Sequence, residues 1–293
     1  ADMVTLVPPY EKFLETGVPW GLVSFDLDED GFYRRYLVGQ KYDEKVYGSF
    51  ATEILKIFKD LDPAAPVEDL DDRFVIGSYS IPKINSYSSI INYVGPSGSF
   101  QRYSFDSVLD DVDFDLIIDY DLDSFDDPGD EELGLPPGLL ASGKLKDKIV
   151  LIGSTVVEHH DDFPTPFLQT RDEEGHLVQA LTYGVEIHAN MLQMILSENY
   201  LHSFPYIGEL IILVILSILV FIITRYLSTY RGLFVTVVLL AIYFVGAFVL
   251  FGQWNTIIQV STPLLVILLI SSSWALGESK NACNCKHECS SSS

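Results

Sequence analysis

Three apolar stretches in immediate succession constrain this chain more than any other feature. Residues 207–224 hold one charge, Glu209, near their start, and residues 232–252 and 256–276 hold none over 21 residues each. A helix rises about 1.5 Å per residue, so 21 residues reach about 31 Å, close to the hydrocarbon depth of a bilayer. A soluble fold can bury one such helix but not three in a row, so the pattern predicts three transmembrane helices. Tyr206, Tyr226, Tyr230, Trp254 and Trp274 stand at the segment ends, where interfacial aromatics belong. The first connecting loop carries Arg225 and Arg231 and the second, 253–255, carries no charge. The positive-inside rule therefore predicts a cytoplasmic first loop, an extracytoplasmic N-terminal part and a cytoplasmic tail. Pro263 falls inside the third stretch, where it kinks the helix or marks a carbonyl satisfied by a neighbour.

The remaining residues differ sharply in charge. Residues 1–206 hold 38 of the 41 acidic residues and 14 of the 18 basic ones, a net charge of −24. Such a surface repels nucleic-acid phosphates and anionic lipid, and suits solubility, divalent cations or basic partners. The three cysteines, Cys283, Cys285 and Cys289, all lie beyond the apolar stretches, so the acidic part cannot form a disulfide. The reading is an acidic folded domain over 1–205, a membrane region over 206–277 and a tail over 278–293.

Within 1–205, residues 21–25 and 32–38 read as strands joined by the turn Asp26-Leu-Asp28-Glu-Asp30-Gly31, a β-hairpin. Residues 49–58 have helical apolar spacing, with Phe50, Ile54, Ile57 and Phe58. Residues 90–94 read as a strand stopped by Gly95-Pro96, and Asp106 as the N-cap of a short helix. The acid-rich run 110–132 reads as a solvated insertion. Lys148-Ile-Val-Leu-Ile-Gly153 is too short for a helix and β-branched enough for a central strand. Residues 171–179 predict a protruding hairpin with Gly175 at its turn. Residues 184–197 predict a helix with Val185, Ala189, Leu192 and Leu196 on its buried face. Strand, loop and helix together predict an α/β or α+β fold built on a mixed sheet.

Several pieces occur in an order that resembles one family. They are Gly21-Leu-Val-Ser-Phe25 with Asp28-Glu-Asp30-Gly31-Phe-Tyr-Arg34-Arg35, Ile91-Asn-Tyr-Val-Gly-Pro96, and Ser104-Phe-Asp106-Ser-Val-Leu109. Leu145-Lys-Asp-Lys-Ile-Val-Leu-Ile-Gly-Ser-Thr155, Asp161-Asp-Phe-Pro-Thr165-Pro-Phe167 and Gly184-Val-Glu-Ile-His-Ala-Asn190 complete the set. Together with the apolar stretches they resemble the cyclase/histidine-kinase-associated sensory extracellular domain of the second type, CHASE type two. The resemblance implies an extracytoplasmic bacterial sensor in the plasma membrane that feeds a cytoplasmic output, commonly a nucleotide cyclase, a histidine kinase or a serine/threonine kinase. It also implies a membrane helix and a first part of the sensor ahead of these residues, and an output domain after them. The expectation is therefore a fragment, a split subunit whose sheet is completed by a partner chain, or a sensor with a separate effector, working as a homodimer or with that partner.

Candidate chemistry is sparse. Asp26, Asp28 and Asp30 with Gly31 repeat the first half of a calcium loop, but position twelve is Leu37, where such a loop needs a bidentate Glu. Asp119, Asp121 and Asp123 show the same alternation. Ser154, Thr155, His159, His160, Asp161 and Asp162 follow the expected central strand, and Glu186 and His188 lie on the expected helix. Polar loops beyond strand ends form the usual crevice of α/β sheets, so these eight residues are the expected ligand site. Imidazole and carboxylate together also suit a metal, although no His-Glu-x-x-His spacing occurs. A phosphate loop and a nucleophile elbow are both absent from the sequence. Cys283, Cys285, His287 and Cys289 are the right residue types for zinc at an unusually tight spacing.

The expected function is a membrane-anchored sensory input module for an extracellular ligand, with calcium as the candidate cofactor. Two other classes are an assembly subunit of a membrane complex and an extracytoplasmic metal-dependent enzyme built on residues 159–162.

Overall fold

The computed structural model describes residues 5–111, 113–114, 124–171, 174–267 and 269. The chain forms two compact units, Ala1–Asn199 and Tyr200–Ser293. The second acidic alternation at 119–123, the end of the third apolar stretch and the Cys-rich tail lie outside the described residues.

The first unit opens with the short helix α1 (Glu11–Glu15) and the expected hairpin of β1 (Phe25–Asp26) and β2 (Arg35–Tyr36), with Phe25 opposite Tyr36. A second hairpin follows, β3 (Gly39–Tyr42) against β4 (Lys45–Gly48). Helix α2 (Phe50–Phe58) starts where Ser49 provides a cap. The Ser49 hydroxyl accepts the Thr52 N–H at 3.3 Å, and the Thr52 hydroxyl donates to the Val38 carbonyl at 2.9 Å. The cap thus satisfies a free helix donor and ties the helix to the preceding hairpin. An antiparallel meander comes next: β5 (Glu68–Asp69), β6 (Arg73–Ile76) and β7 (Tyr79–Pro82). Phe74, Ile76 and Ile81 are fully buried in it.

β8 (Ser89–Ile90) returns to pair with β2. α3 (Asp106–Leu109) follows, capped by Phe105, so Asp106 is its first helical residue and not the N-cap expected. β9 (Asp162–Phe163) pairs with β12 (Thr182–Tyr183), and between them β10 (Gln169–Arg171) and β11 (Leu177–Gln179) form the expected hairpin. β12 leads directly into α4 (Gly184–Ser197). The core lies between α2 and α4: Leu55, Tyr36, Val38, Ile187, Met191 and Ile195 are fully buried.

Three expectations are corrected in this unit. The described residues of this unit form several small two- and three-stranded antiparallel sheets, and no single mixed sheet. Residues 148–153 are not a strand, because none of the described strands lies beside them. The segment instead passes over α4 at Gly153, where an added Cβ would fall 2.5 Å from the Val185 Cβ. The buried face of α4 is also different. Ile187, Met191 and Ile195 form its centre, flanked by Glu186, His188 and Asn190; of the four expected residues Leu192 is buried, whereas Val185, Ala189 and Leu196 are half-buried. Apolar spacing misses this face because three of its residues are polar and are buried through hydrogen bonds.

In the second unit, β13 (His202–Ser203) precedes α5 (Tyr206–Tyr226), and α6 (Thr229–Trp254) follows after a two-residue turn. Both helices are long and apolar enough to cross a bilayer. Tyr206, Tyr226, Tyr230 and Trp254 mark their ends. Ser217, Thr224 and Thr236 return their hydroxyls to backbone carbonyls three or four residues earlier, which suits an apolar medium. The third apolar stretch does not start as a helix. β14 (Thr256–Ile257) pairs in parallel with β13, and helix resumes at 261–267. Pro263 therefore sits in a first helical turn, where its missing N–H costs no hydrogen bond.

Gly21 tests the packing of the first unit. An added Cβ would lie 2.5 Å from the Ser49 carbonyl oxygen, which is backbone and cannot swing away. Gly21→Ala is expected to cost about 1–3 kcal/mol and to lower the thermal midpoint seen by near-ultraviolet circular dichroism.

Candidate functional site

The site is best built from α4 outwards, because its polar residues each hold a different part of the domain. Glu186 is buried and accepts from the Ser97 hydroxyl at 3.0 Å, the Gly98 N–H at 3.1 Å and Arg102 Nε at 2.9 Å. The Arg102 guanidinium also lies over the Tyr183 ring, 5.1 Å from its centre. One turn on, Asn190 accepts from the Val94 N–H at 2.9 Å and donates to the Glu186 carbonyl at 2.8 Å. A turn further, Met194 sulfur takes the Asn92 N–H at 3.3 Å. The run Asn92-Tyr-Val-Gly-Pro96 thus lies along a row of α4 spaced at i, i+4, i+8. A helix has no spare backbone groups along its side, so side chains supply the pairing that a sheet would supply.

His188 occupies the next row and is buried. Its Nδ1 is 2.6 Å from the Tyr36 hydroxyl, which itself accepts the Ala51 N–H at 3.4 Å. The Tyr36 hydroxyl and His188 Nδ1 share one hydrogen bond that ties α4 to β2. The rings of Phe25 and Phe50 lie 4.8 and 5.2 Å from the imidazole centre. Burial pushes the His188 pKa down to about 4, so the ring is neutral at physiological pH. Burial also pushes the Tyr36 hydroxyl up.

Beside His188 opens a cleft of about 440 Å³, within the size range of small-ligand sites. Its aromatic wall is Phe25, Tyr33, Phe50 and Phe163; Phe163 meets Tyr33 at 4.8 Å and Phe25 at 5.2 Å between ring centres, edge to face. Ile152, Gly153 and Val185 form the opposite side. Asp161 is the carboxylate in the lining. It sits over Gly184, whose N–H donates to the Asp161 carbonyl at 2.9 Å. Among the described residues its carboxylate takes no hydrogen bond. Burial and the neighbouring Asp162 raise its pKa, while His159 opposes that shift. The cleft can therefore hold an apolar or aromatic body with a donor or positive charge directed at Asp161.

Of the eight residues expected at a ligand site, the structure brings Asp161 and His188 to this cleft. Ser154 and His159 pair with each other, Oγ to Nδ1 at 2.7 Å, across a 3-10 turn at Val157–His159. The Ser154 hydroxyl also accepts the Val156 N–H, so the pair folds the loop. His159 is exposed and Ser154 half-buried, and among the described residues no third side chain hydrogen-bonds His159, as a serine nucleophile's base requires. Thr155 and His160 are exposed, with His160 in the left-handed region at φ +50°. Asp162 belongs to the β9–β12 pair, and Glu186 is committed to Ser97, Gly98 and Arg102. Among the described residues no three His, Cys, Asp or Glu side chains are grouped to hold a metal.

Asp26, Asp28 and Asp30, the carboxylates expected to take calcium, are ion-paired with two arginines. Arg34 binds Asp28 at 2.8 Å and both oxygens of Asp30 at 2.9 Å, and Arg35 binds Asp28 and lies 3.0 Å from Asp26. Arg34 holds the Asp30 carboxyl below the usual range. The motif is an ion-paired turn. The residues the sequence reading missed are Phe25, Tyr33, Phe50 and Phe163, which come from four separate segments. Their only sequence signal is that Phe25, Tyr33 and Phe163 fall inside motifs already singled out.

A family model, that of the CHASE2 domain, matches residues 7–223. The chain belongs to the CHASE2 family, whose domain is an extracellular sensory module of signalling receptors. The two apolar helices fit a membrane protein. No curated protein and no solved structure matches the chain.

Two substitutions test the roles of α4. Folded His188 has a depressed pKa, so its neutral form is favoured by folding; the unfolded chain takes up the proton first as pH falls. Stability that is complete above about pH 6.5 is then lost towards pH 4, by up to about 3 kcal/mol. His188→Phe removes this share of the pH dependence in thermal unfolding, whatever its cost at pH 7. Glu186→Ala leaves Gly98 N–H and Arg102 without their acceptor and is expected to cost about 2–3 kcal/mol, read as a lower unfolding midpoint.

Proposed function

We propose that this chain is the sensory input module of a membrane receptor. The domain of the first unit faces the outside of the cell and recognises a small ligand in the cleft between α4 and the 153–163 loop. Three membrane segments pass the change to a cytoplasmic output of the nucleotide-cyclase or kinase kind. The observation that carries this reading is the order of parts within a CHASE2 chain: α4, which lines the cleft with Val185 and His188, is followed after eight residues by the apolar helix α5.

The second unit supports a mechanical route. The linker strand β13 pairs with β14, the His202 N–H donates to the Asn255 carbonyl at 2.9 Å, and the Phe204 N–H to the Ile257 carbonyl at 2.9 Å. The Glu209 carboxylate accepts the Gln259 N–H at 2.9 Å. A displacement of the linker is therefore transmitted both to α5 and to the segment that follows residue 259. A small shift of packed helices is a common output of such coupling.

Alkaline phosphatase fused after residue 205 or residue 255 should be active, and after residue 228 inactive, when expressed in bacteria. The reverse pattern removes the extracytoplasmic sensor. In a chimaera with a nucleotide-cyclase catalytic domain after residue 276, Asp161→Lys should change cyclase output at equal expression; unchanged output removes the cleft from the signalling path.

A further inference from the structure

The segment Ile149–Gly153 is apolar, and its backbone N–H and C=O groups pair with no other backbone group among the described residues. Its side chains alternate: Ile149 and Leu151 are half-buried, Val150 is 55% exposed and Ile152 72% exposed. Period-two alternation is the signature of an extended chain. A groove of about 430 Å³ runs between this segment and Ile54, Ile57 and Phe58 of α2. Ile57 and Phe58 are themselves 60% and 48% exposed. An unpaired extended backbone flanked by an apolar groove is a template for one kind of occupant, a β-strand. A lipid or small apolar molecule fills the groove but leaves five peptide groups unpaired.

Charge decides which strand. The residues leading into the segment include Lys144, Lys146 and Lys148 with one acid, Asp147, in a chain of net charge −23. Lys146 and Lys148 are exposed and form no ion pair among the described residues. A second copy of this chain fits poorly. Antiparallel self-pairing about Leu151 sets Lys148 beside Ser154, in-register parallel pairing sets lysine on lysine, and each approach brings together two domains of net charge −24. We infer that Ile149–Gly153 is an acceptor strand for β-pairing with a separate polypeptide, whose donor strand is aliphatic and β-branched and carries a carboxylate at the end that meets Lys148. Main-chain bonds supply the pairing and the groove receives alternate side chains. This proposal does not rest on the ligand cleft.

The test uses the full chain in lipid nanodiscs and the probe peptide acetyl-Val-Thr-Val-Ile-Val-Glu-amide, with hydrogen exchange read by mass spectrometry. The amides of 149–153 should exchange fast in the free protein and slow by about tenfold or more at about 1 mM peptide. Val150→Asp with Ile152→Asp should abolish the slowing, and Lys148→Glu should weaken it. Both altered apolar side chains are already mostly exposed, and an unchanged thermal midpoint confirms that the variants fold. No slowing with the peptide overturns the proposal. Protection already present in the free monomer assigns the groove to this chain's own residues and overturns it. Protection that grows with protein concentration alone assigns it to a second copy and also overturns it.

Discussion

The buried polar face of α4 is the constraint on which the first unit depends. Glu186, His188 and Asn190 are all withdrawn from water, and each is satisfied by a segment distant in sequence: Ser97 to Arg102, Tyr36, and Val94. A buried polar group without a partner is costly, so these bonds fix where each segment must lie. A purely apolar helix face would hold the same segments with less positional definition. The cleft inherits this definition, because His188 and Gly184 line it from the same helix.

The turn Asp26–Gly31 shows how neighbouring charges change a motif's meaning. Alternating carboxylates taken alone suit a divalent cation. The next residues include Arg34 and Arg35, whose guanidiniums reach back over a tight turn with Gly31 at φ +83°. The resulting network ties both arginines to the turn, and it anchors the hairpin that places Phe25 and Tyr33 beside His188. The second unit has an analogous tie, since β13 and β14 join the linker to the loop between two apolar segments through backbone hydrogen bonds.

Much of the local structure was legible. The hairpins around Asp26–Gly31 and Gly175, helix α2, and the apolar helices α5 and α6 follow from turn chemistry and periodicity. The candidate site was legible only in part. Asp161 and His188 were both among the expected residues, but so was Glu186, which binds elsewhere, and the aromatic wall was not foreseen. Four rings from residues 25, 33, 50 and 163 meet only once the chain has folded, and no local pattern encodes that meeting. The apolar run Ile149–Gly153 has the composition of a central strand, but strand formation requires a neighbour and composition does not supply one.

The sequence by itself determined the length and apolarity of the helices in 206–254 that suit a membrane, the charge of the domain, the family and the position of most turns, because these depend on residues close together along the chain. Tertiary structure alone decided which face of α4 is buried, that Glu186 anchors Arg102, that Asp26, Asp28 and Asp30 pair with Arg34 and Arg35, and that the third apolar stretch opens as the short strand β14. Each of these is a pairing between groups whose partner must first be brought within about 3 Å, and that distance is set by the fold.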